Sequence, residues 1–479
     1  MKAIRTLAAV LALSAGGAHA EQIALVGGTI IAGTGSPPIE RGVIVIDDKR
    51  IVAVGDRSAK IPAGARTIDV SGKFIIPGLM ETGVYLVGDY EPADTLIRYE
   101  GRYDELAIEG AQMALKEGVT TLVGIWGPRD DLIKARTLID EGAVPAARLY
   151  FSGNVVGYDG PMSVDFLGDD AGMAIETFEP AISRTFMDRV NKRFTQDVGS
   201  ELLLLEPGEI RQRIHAYANS GVDFLALGLS AHRPWAHQFS VFAPTTQQLI
   251  VEEAHRAGRL VVGFSAFSSQ AIDDAVKAGV DIIYNCDFSV GGAHSPQMVA
   301  LLAKRQIPCA ITPNTDSAEK HYRQQLRGTE PLLPFIDGMA RNDRALIQAG
   351  AMTLMATNGA LYSADTFATW QQRGVAMSDG QTLKVLGSSH FWWLQAAQEK
   401  GMAPMAALMA ATRNVARAFR LDKDLGTLER GRLADLVVLD RNPLEGAENY
   451  RSISIVMKEG RIIDRDALPT QKLLTAPAR

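Results

Sequence analysis

The middle of the chain switches repeatedly between two hydrophobic periodicities, and few folds accommodate that. Short, almost wholly apolar runs fall at 119–125, 149–152, 222–229, 260–264, 281–285, 307–312 and 352–357. Amphipathic segments at helical spacing separate them, the clearest at 105–117, 132–141, 207–219, 245–257 and 343–349. A run that is apolar on both faces is what a strand looks like when helices cover both sides of a parallel sheet. With the run 77–86 added, the chain offers eight candidate strands. The economical architecture is α/β, a (β/α)8 TIM barrel, whose functional residues lie at the C-terminal ends of its strands.

The two flanks read differently. From 23 to 76, β-branched runs at 23–26, 43–46, 51–54 and 67–70 are broken by Gly, Asp and Pro, and the same texture returns at 434–440, 453–457 and 461–463. Regular turn spacing of this kind suits a small β-sandwich, here formed from both termini. The expected boundaries are 21–76 plus 424–467 for that domain, 77–423 for the barrel and 468–479 for a C-terminal tail. Two stretches break the barrel alternation. Residues 157–206, rich in Gly, Asp, Met and Phe, read as a lid with some helix near 182–194, and 317–333 is polar and charged. Two long helices are expected at 382–399 and 404–419, the first packing Trp392 and Trp393 into the core.

Residues 1–20 have the three parts of a secretory signal peptide: Lys2 and Arg5, an apolar run from Leu7 to Leu13, and Ala18-His19-Ala20 before Glu21. The apolar run is too short to span a bilayer. The expected location is therefore periplasmic or secreted, with no membrane span. The chain carries a formal net charge of −6 and no basic patch, which argues against nucleic acid. Its two cysteines, Cys286 and Cys309, fall on or near buried strands and read as small core residues, and export would permit a disulfide between them.

One segment carries more information than the rest. Pro77-Gly78-Leu79-Met80-Glu81-Thr82-Gly83-Val84-Tyr85-Leu86 resembles the Pro-Gly-Leu-Ile-Asp-Thr-His-Val-His-Leu of metal-dependent amidohydrolases. The resemblance extends over nearly the whole mature chain. Gly42 to Gly55 is similar to the family's first hairpin, and Glu117-Gly118-Val119-Thr120-Thr121 to its second barrel strand. Asp424 to Gly431 and Leu433 to Asp440 match its return to the small domain. The imidazolonepropionase-like and dipeptidase-like members are the nearest in pattern. The resemblance implies hydrolysis of C–N bonds with one or two divalent metals, commonly zinc.

That chemistry needs nitrogen and oxygen ligands converging on one point with a coordination position left open. In the family, the ligands are a His-x-His on strand one, a carboxylated lysine or glutamate on strand four, histidines on strands five and six, and an aspartate on strand eight. Matching the flanks puts those positions at Gly83 and Tyr85, Ala226, Phe264, Asn285 and Asn358. None is a metal ligand of that set. A buried carboxylate without a metal would be an uncompensated charge, and Asn358 keeps the shape of an aspartate without it. The expectation is a site refilled with neutral groups, with no cofactor, in which Tyr85, Phe264, Asn285 and Asn358 line a pocket and Gly83 and Ala226 make room for bulk.

The remaining histidines, His215, His232, His237, His255, His294, His321 and His390, fall on none of these positions. Asp287 and Asp316 lie just past strands six and seven without a nucleophile beside them, and Ser152, Ser230 and Ser265 lack a Ser/His/Asp arrangement. Two functions are expected from this pattern. One is a non-catalytic protein that binds a small amide or peptide-like ligand, or partners an active paralogue as a homo- or hetero-oligomer. The other is a working hydrolase of C–N bonds with an atypical or absent metal site.

Overall fold

A computed structural model describes residues 22–87, 93–163, 184–230, 240–290, 292–325, 332–374 and 377–476. The expected signal peptide and residues 164–183 of the expected lid lie outside them. The N-terminal strands are β1 (Gln22–Ile30), β2 (Ile39–Asp47), β3 (Arg50–Gly55), β4 (Arg66–Asp69) and β5 (Phe74–Pro77). The barrel strands come next as β6 (Leu79–Tyr85), β7 (Val119–Trp126), β8 (Arg148–Phe151) with its short continuation β9 (Val155–Val156), β10 (Phe224–Gly228), β11 (Leu260–Phe264), β12 (Ile282–Tyr284), β13 (Cys309–Ile311) and β14 (Thr353–Met355). The chain returns through β15 (Leu436–Leu439), β16 (Ile453–Lys458) and β17 (Arg461–Ile462).

All eight expected barrel strands are present and parallel. β6, β7 and β8 form one run, β9 to β14 another. The two runs join where the amide of Asp223 donates to Phe151 O at 3.0 Å. The barrel closes where β14 meets β6: Thr82 Oγ1 donates to Met355 O at 2.8 Å, and the Tyr85 amide donates to Gly359 O at 2.9 Å. The fully buried β6 and β7 explain why their sequences show no polar alternation. Local signals set the covering helices. Helix Ser269–Ala278 starts at Ser268, whose hydroxyl accepts from the Ala271 amide, and stops at Gly279 at φ +88°.

The small domain draws strands from both ends into one sheet ordered β17-β16-β15-β5-β1-β2-β3. Alternate residues sort to opposite faces: Ile23 and Leu25 join one apolar cluster and Ala24 another. The first cluster takes side chains from β16 through to β3, because the sheet curls until the amide of Ile51 donates to Arg432 O at 2.9 Å, just ahead of β15. The strand that joins the two halves is β5, pairing β15 and β1. Its sequence runs into β6 with only Gly78 between, so pattern alone merges Pro77 into the first barrel strand.

Helix boundaries differ from expectation in two places. The helix expected from 382 begins at Ser389, after Gly387 at φ +89°, and the helix expected over 404–419 is two, Pro404–Ala410 and Arg413–Ala418, divided at Thr412. Trp393 packs in the core as expected, its indole N–H donating to Ile311 O at 2.8 Å. Cys286 and Cys309 are disulfide-bonded between β12 and β13, with Cα atoms 5.5 Å apart, so they are more than the two small core residues that composition suggests. In the interval 157–206, helix Arg184–Thr195 packs Phe194 on Trp126 at 4.9 Å and pairs Arg193 with Asp131 at 2.6 Å. The tail is docked: buried Glu109 accepts from the amides of Leu473, Leu474 and Thr475.

Candidate functional site

A cavity of about 320 Å3 opens at the C-terminal ends of the barrel strands. Tyr85, Phe264, Asn285 and Asn358 all line it, as expected from their positions at the ends of strands one, five, six and eight. The structure therefore brings these four together. Gly83 and Ala226 lie deeper and do not line it. Ala226 is fully buried in β10.

The local backbone explains how strand-end side chains reach one floor. Gly83, Ser265, Asn285 and Asn358 have φ of +68°, +58°, +58° and +54°. A left-handed residue breaks the strand alternation and re-aims the side chains after it. Non-glycine residues held there are strained, and such strain gathers at ligand sites. At Gly83 the glycine is obligatory twice over, since a Cβ would stand 1.6 Å from the hydroxyl oxygen of Tyr284.

Tyr284 is the residue that pattern reading missed. Its ring stacks on Phe264 with centroids 5.4 Å apart, and its hydroxyl donates to Asn358 Oδ1 at 2.6 Å while lying 3.0 Å from Gly83 O. It is this phenol that occupies the space beside Gly83, and it ties the ends of strands one, six and eight to each other. The room expected from Gly83 is used, but by the residue before Asn285. No residue type signals this; only the register of β11 on β12 places Tyr284 beside Phe264.

Above the floor the walls are aromatic. Phe267, Phe288 and Phe335 pack with centroids 5.1–6.3 Å apart, beside Met339 and Ile336. Tyr362 and Trp370 complete the rim. Lys384 is the one charged side chain among the described residues lining the cavity. Behind it, Asp287 accepts from the amide and hydroxyl of Thr312, each at 3.1 Å. Burial pushes the Asp287 carboxyl up to about 6, and burial together with the Asp287 charge pushes Asp343 well up. Burial lowers Lys384, against the attraction of both acids. Asp287 thus faces inward as a structural acceptor. Asp316 faces outward and pairs with the buried ammonium of Lys400 at 2.7 Å.

A third buried acid lies apart from Asp287 and Asp343. Glu81 occupies the acidic position of the family-like Pro-Gly-Leu segment and is fully buried. Its Oε1 accepts from Thr357 Oγ1 at 2.5 Å and Ser389 Oγ at 2.6 Å, while Oε2 has no partner. Burial pushes it up to about 7 against those two hydroxyls.

Could these residues hold a divalent metal? The donor chemistry is wrong. The six positions present two carboxamides, a phenol, a phenyl ring, a methyl group and a hydrogen, where a catalytic ion needs imidazole and carboxylate or thiolate donors. Any side chain at 83 would collide with the Tyr284 ring. Among the described residues no three His, Cys, Asp or Glu side chains come together as a cage. Four of the five described histidines are engaged elsewhere: His294 between Ser269 Oγ and Cys286 O, His255 on Asp281, His215 on Glu253 and His390 on Glu117 O. His321 has an unpartnered Nε2. His232 and His237 lie outside the described residues.

Fold and site together define a barrel protein with a small β domain from both termini and a cavity at the strand C-termini. The amidohydrolase family model matches residues 250–463. Among solved structures, the chain is 32% identical to molinate hydrolase with a TM-score of 0.88, covering 96% of this chain and 98% of that one. It is 31% identical to phenylurea hydrolase B with a TM-score of 0.87, covering 95% and 100%. A shorter match, 41% identical over 64 residues, links 13% of this chain to 15% of a 5-methylthioadenosine/S-adenosylhomocysteine deaminase of Symbiobacterium thermophilum. The chain belongs to the amidohydrolase family.

Proposed function

We propose that this chain is a non-catalytic member of that family which binds a small, largely apolar ligand carrying an amide-like group. The observation that carries this reading is the replacement of the strand-end ligand set by neutral side chains, with Tyr284 filling the space over Gly83. A cavity of about 320 Å3 is roughly twice the volume that takes up benzene in an engineered apolar core. It suits one ring with a short polar arm. The signal-like residues 1–20 support export to the periplasm or beyond, and no helix among the described residues is long and apolar enough to cross a membrane. Partnership with a second copy or an active paralogue is part of the same proposal.

A second reading, a working hydrolase, is favoured by two near-full-length relatives above 30% identity, both named as hydrolases. Metal analysis of the purified mature protein separates the two. The first reading expects substoichiometric zinc, cobalt and manganese, and a melting temperature unmoved by chelator. One tightly held ion per chain with chelator-sensitive turnover of dipeptides, N-acyl amino acids or aryl amides would overturn it.

A further inference from the structure

One side chain at the mouth is unlike its neighbours. Lys384 is half-buried, lines the cavity, and also lines a small adjoining pocket beside Thr312, Thr357 and Trp393. Its backbone is fixed: Lys384 O accepts from the Ala360 amide at 2.8 Å, and Ala360 bridges to Tyr85 on one side and Val385 on the other. Its amine is free. It makes no hydrogen bond and no ion pair, and feels Asp287 and Asp343 only at longer range. The oxygens Asp287 Oδ1 and Asp343 Oδ1 are closed off without partners, whereas the amine keeps access to the open space. An amine left unpartnered among apolar walls is held toward its uncharged form, because burial penalises the ammonium. The uncharged form has a lone pair that attacks carbonyl carbon.

Building on the reading of this cavity as a ligand site, though not on an amide-like head, we propose that Lys384 captures an apolar aldehyde as a reversible imine. The nitrogen lone pair attacks the carbonyl carbon and forms the C–N bond. The carbonyl oxygen then leaves as water, taking in net the two amine hydrogens, and a C=N bond remains. The balance needs no oxidant or reductant. Asp287 and Asp343 bias the choice of ligand. Their charge already bears on the amine, so an anion would compete with them for it, and a neutral carbonyl does not. Phe267, Phe288 and Phe335 offer apolar surface to the body of the aldehyde, and the cavity of about 320 Å3 admits one ring on a short arm.

Reductive trapping on the full mature protein tests this. The probe is 3-phenylpropanal at micromolar concentration with sodium cyanoborohydride, which turns the imine into a stable secondary amine, read by peptide mapping in a mass spectrometer. Lys384 is expected to carry the adduct roughly tenfold more heavily than any other lysine, and excess 3-phenylpropanol is expected to block it. Lys384→Arg keeps the charge without the nucleophile and is expected to lose that adduct at an unchanged melting temperature. Adduct spread evenly over the lysines, or an unmodified Lys384, would overturn the imine. Calorimetry with 3-phenylpropanol keeps the two readings apart. Alcohol that binds beside an unmodified Lys384 sinks the imine alone. Alcohol that fails to bind at millimolar concentration, with Lys384 unmodified, sinks the ligand site as well.

Discussion

The two ends of the barrel handle polarity in opposite ways. At the N-terminal end, Arg148 is buried with its charge intact: its guanidinium donates to Asp435 at 2.8 Å and Glu459 at 2.7 Å, locking β8 to the small domain. Burial alone would lower the Arg148 pKa, but the two acids outweigh it and raise it; against burial, the hydrogen bond from Lys49 and then the Arg148 charge hold Glu459 down at about 2. At the C-terminal end the cavity is lined by carboxamide, phenol and phenyl groups, with Lys384 the one charged side chain among the described lining residues. At the N-terminal end the buried charge is fully paired. The largely neutral mouth is therefore a property of that end of the barrel.

The largest expected effect comes from breaking the paired end. Arg148→Met leaves Asp435 buried and uncompensated, which should cost about 3–5 kcal/mol in chemical denaturation. A loss below about 1 kcal/mol would mean that the lock is solvated, and the contrast between the two ends would weaken.

Next is Glu81, an acid without a countercharge. Its carboxyl binds a proton more tightly in the folded state, up to about 7 against an ordinary value of 4.5. The stabilisation is thus fully present below the unfolded value and is lost as pH rises through about 7. The lost stability is on the order of 3 kcal/mol. Glu81→Gln should melt like the parent near pH 4 and higher than the parent at pH 8. Identical pH profiles for the two proteins would show that Glu81 does not carry this titration.

The smallest effect tests the floor. Gly83→Ala pushes a methyl into the Tyr284 ring and forces an L side chain to φ +68°, at an expected cost of roughly 1–3 kcal/mol. Combining it with Tyr284→Ala should recover part of that loss, since the two changes share one contact. Strict additivity would place Tyr284 elsewhere and remove the physical basis for the refilled site.

Much of this molecule could be read in its sequence because its signals are local. Eight apolar runs spaced by amphipathic segments specify the barrel, and β-branched runs at both ends specify the small domain. Flanking residues located Tyr85, Phe264, Asn285 and Asn358 at one mouth, because strand ends in a closed barrel must converge. The errors were also local in origin. Gly387 and Thr412 interrupt helices that hydrophobic spacing continues through, and β5 hides in an apolar run that carries straight on into β6.

What only the tertiary structure decided is which atoms share the floor. Ser265 and Lys384 line the cavity and Tyr284 packs against two of its lining residues, Phe264 and Asn358; they come from separate segments and show no motif, and their placement depends on register between strands and on four backbone sites turned to positive φ. Glu81 could be numbered from the sequence, but its missing partner could not. Composition and periodicity report what each segment buries. Whether a buried donor or acid is answered depends on side chains hundreds of residues away, and distances between those are set only when the barrel closes.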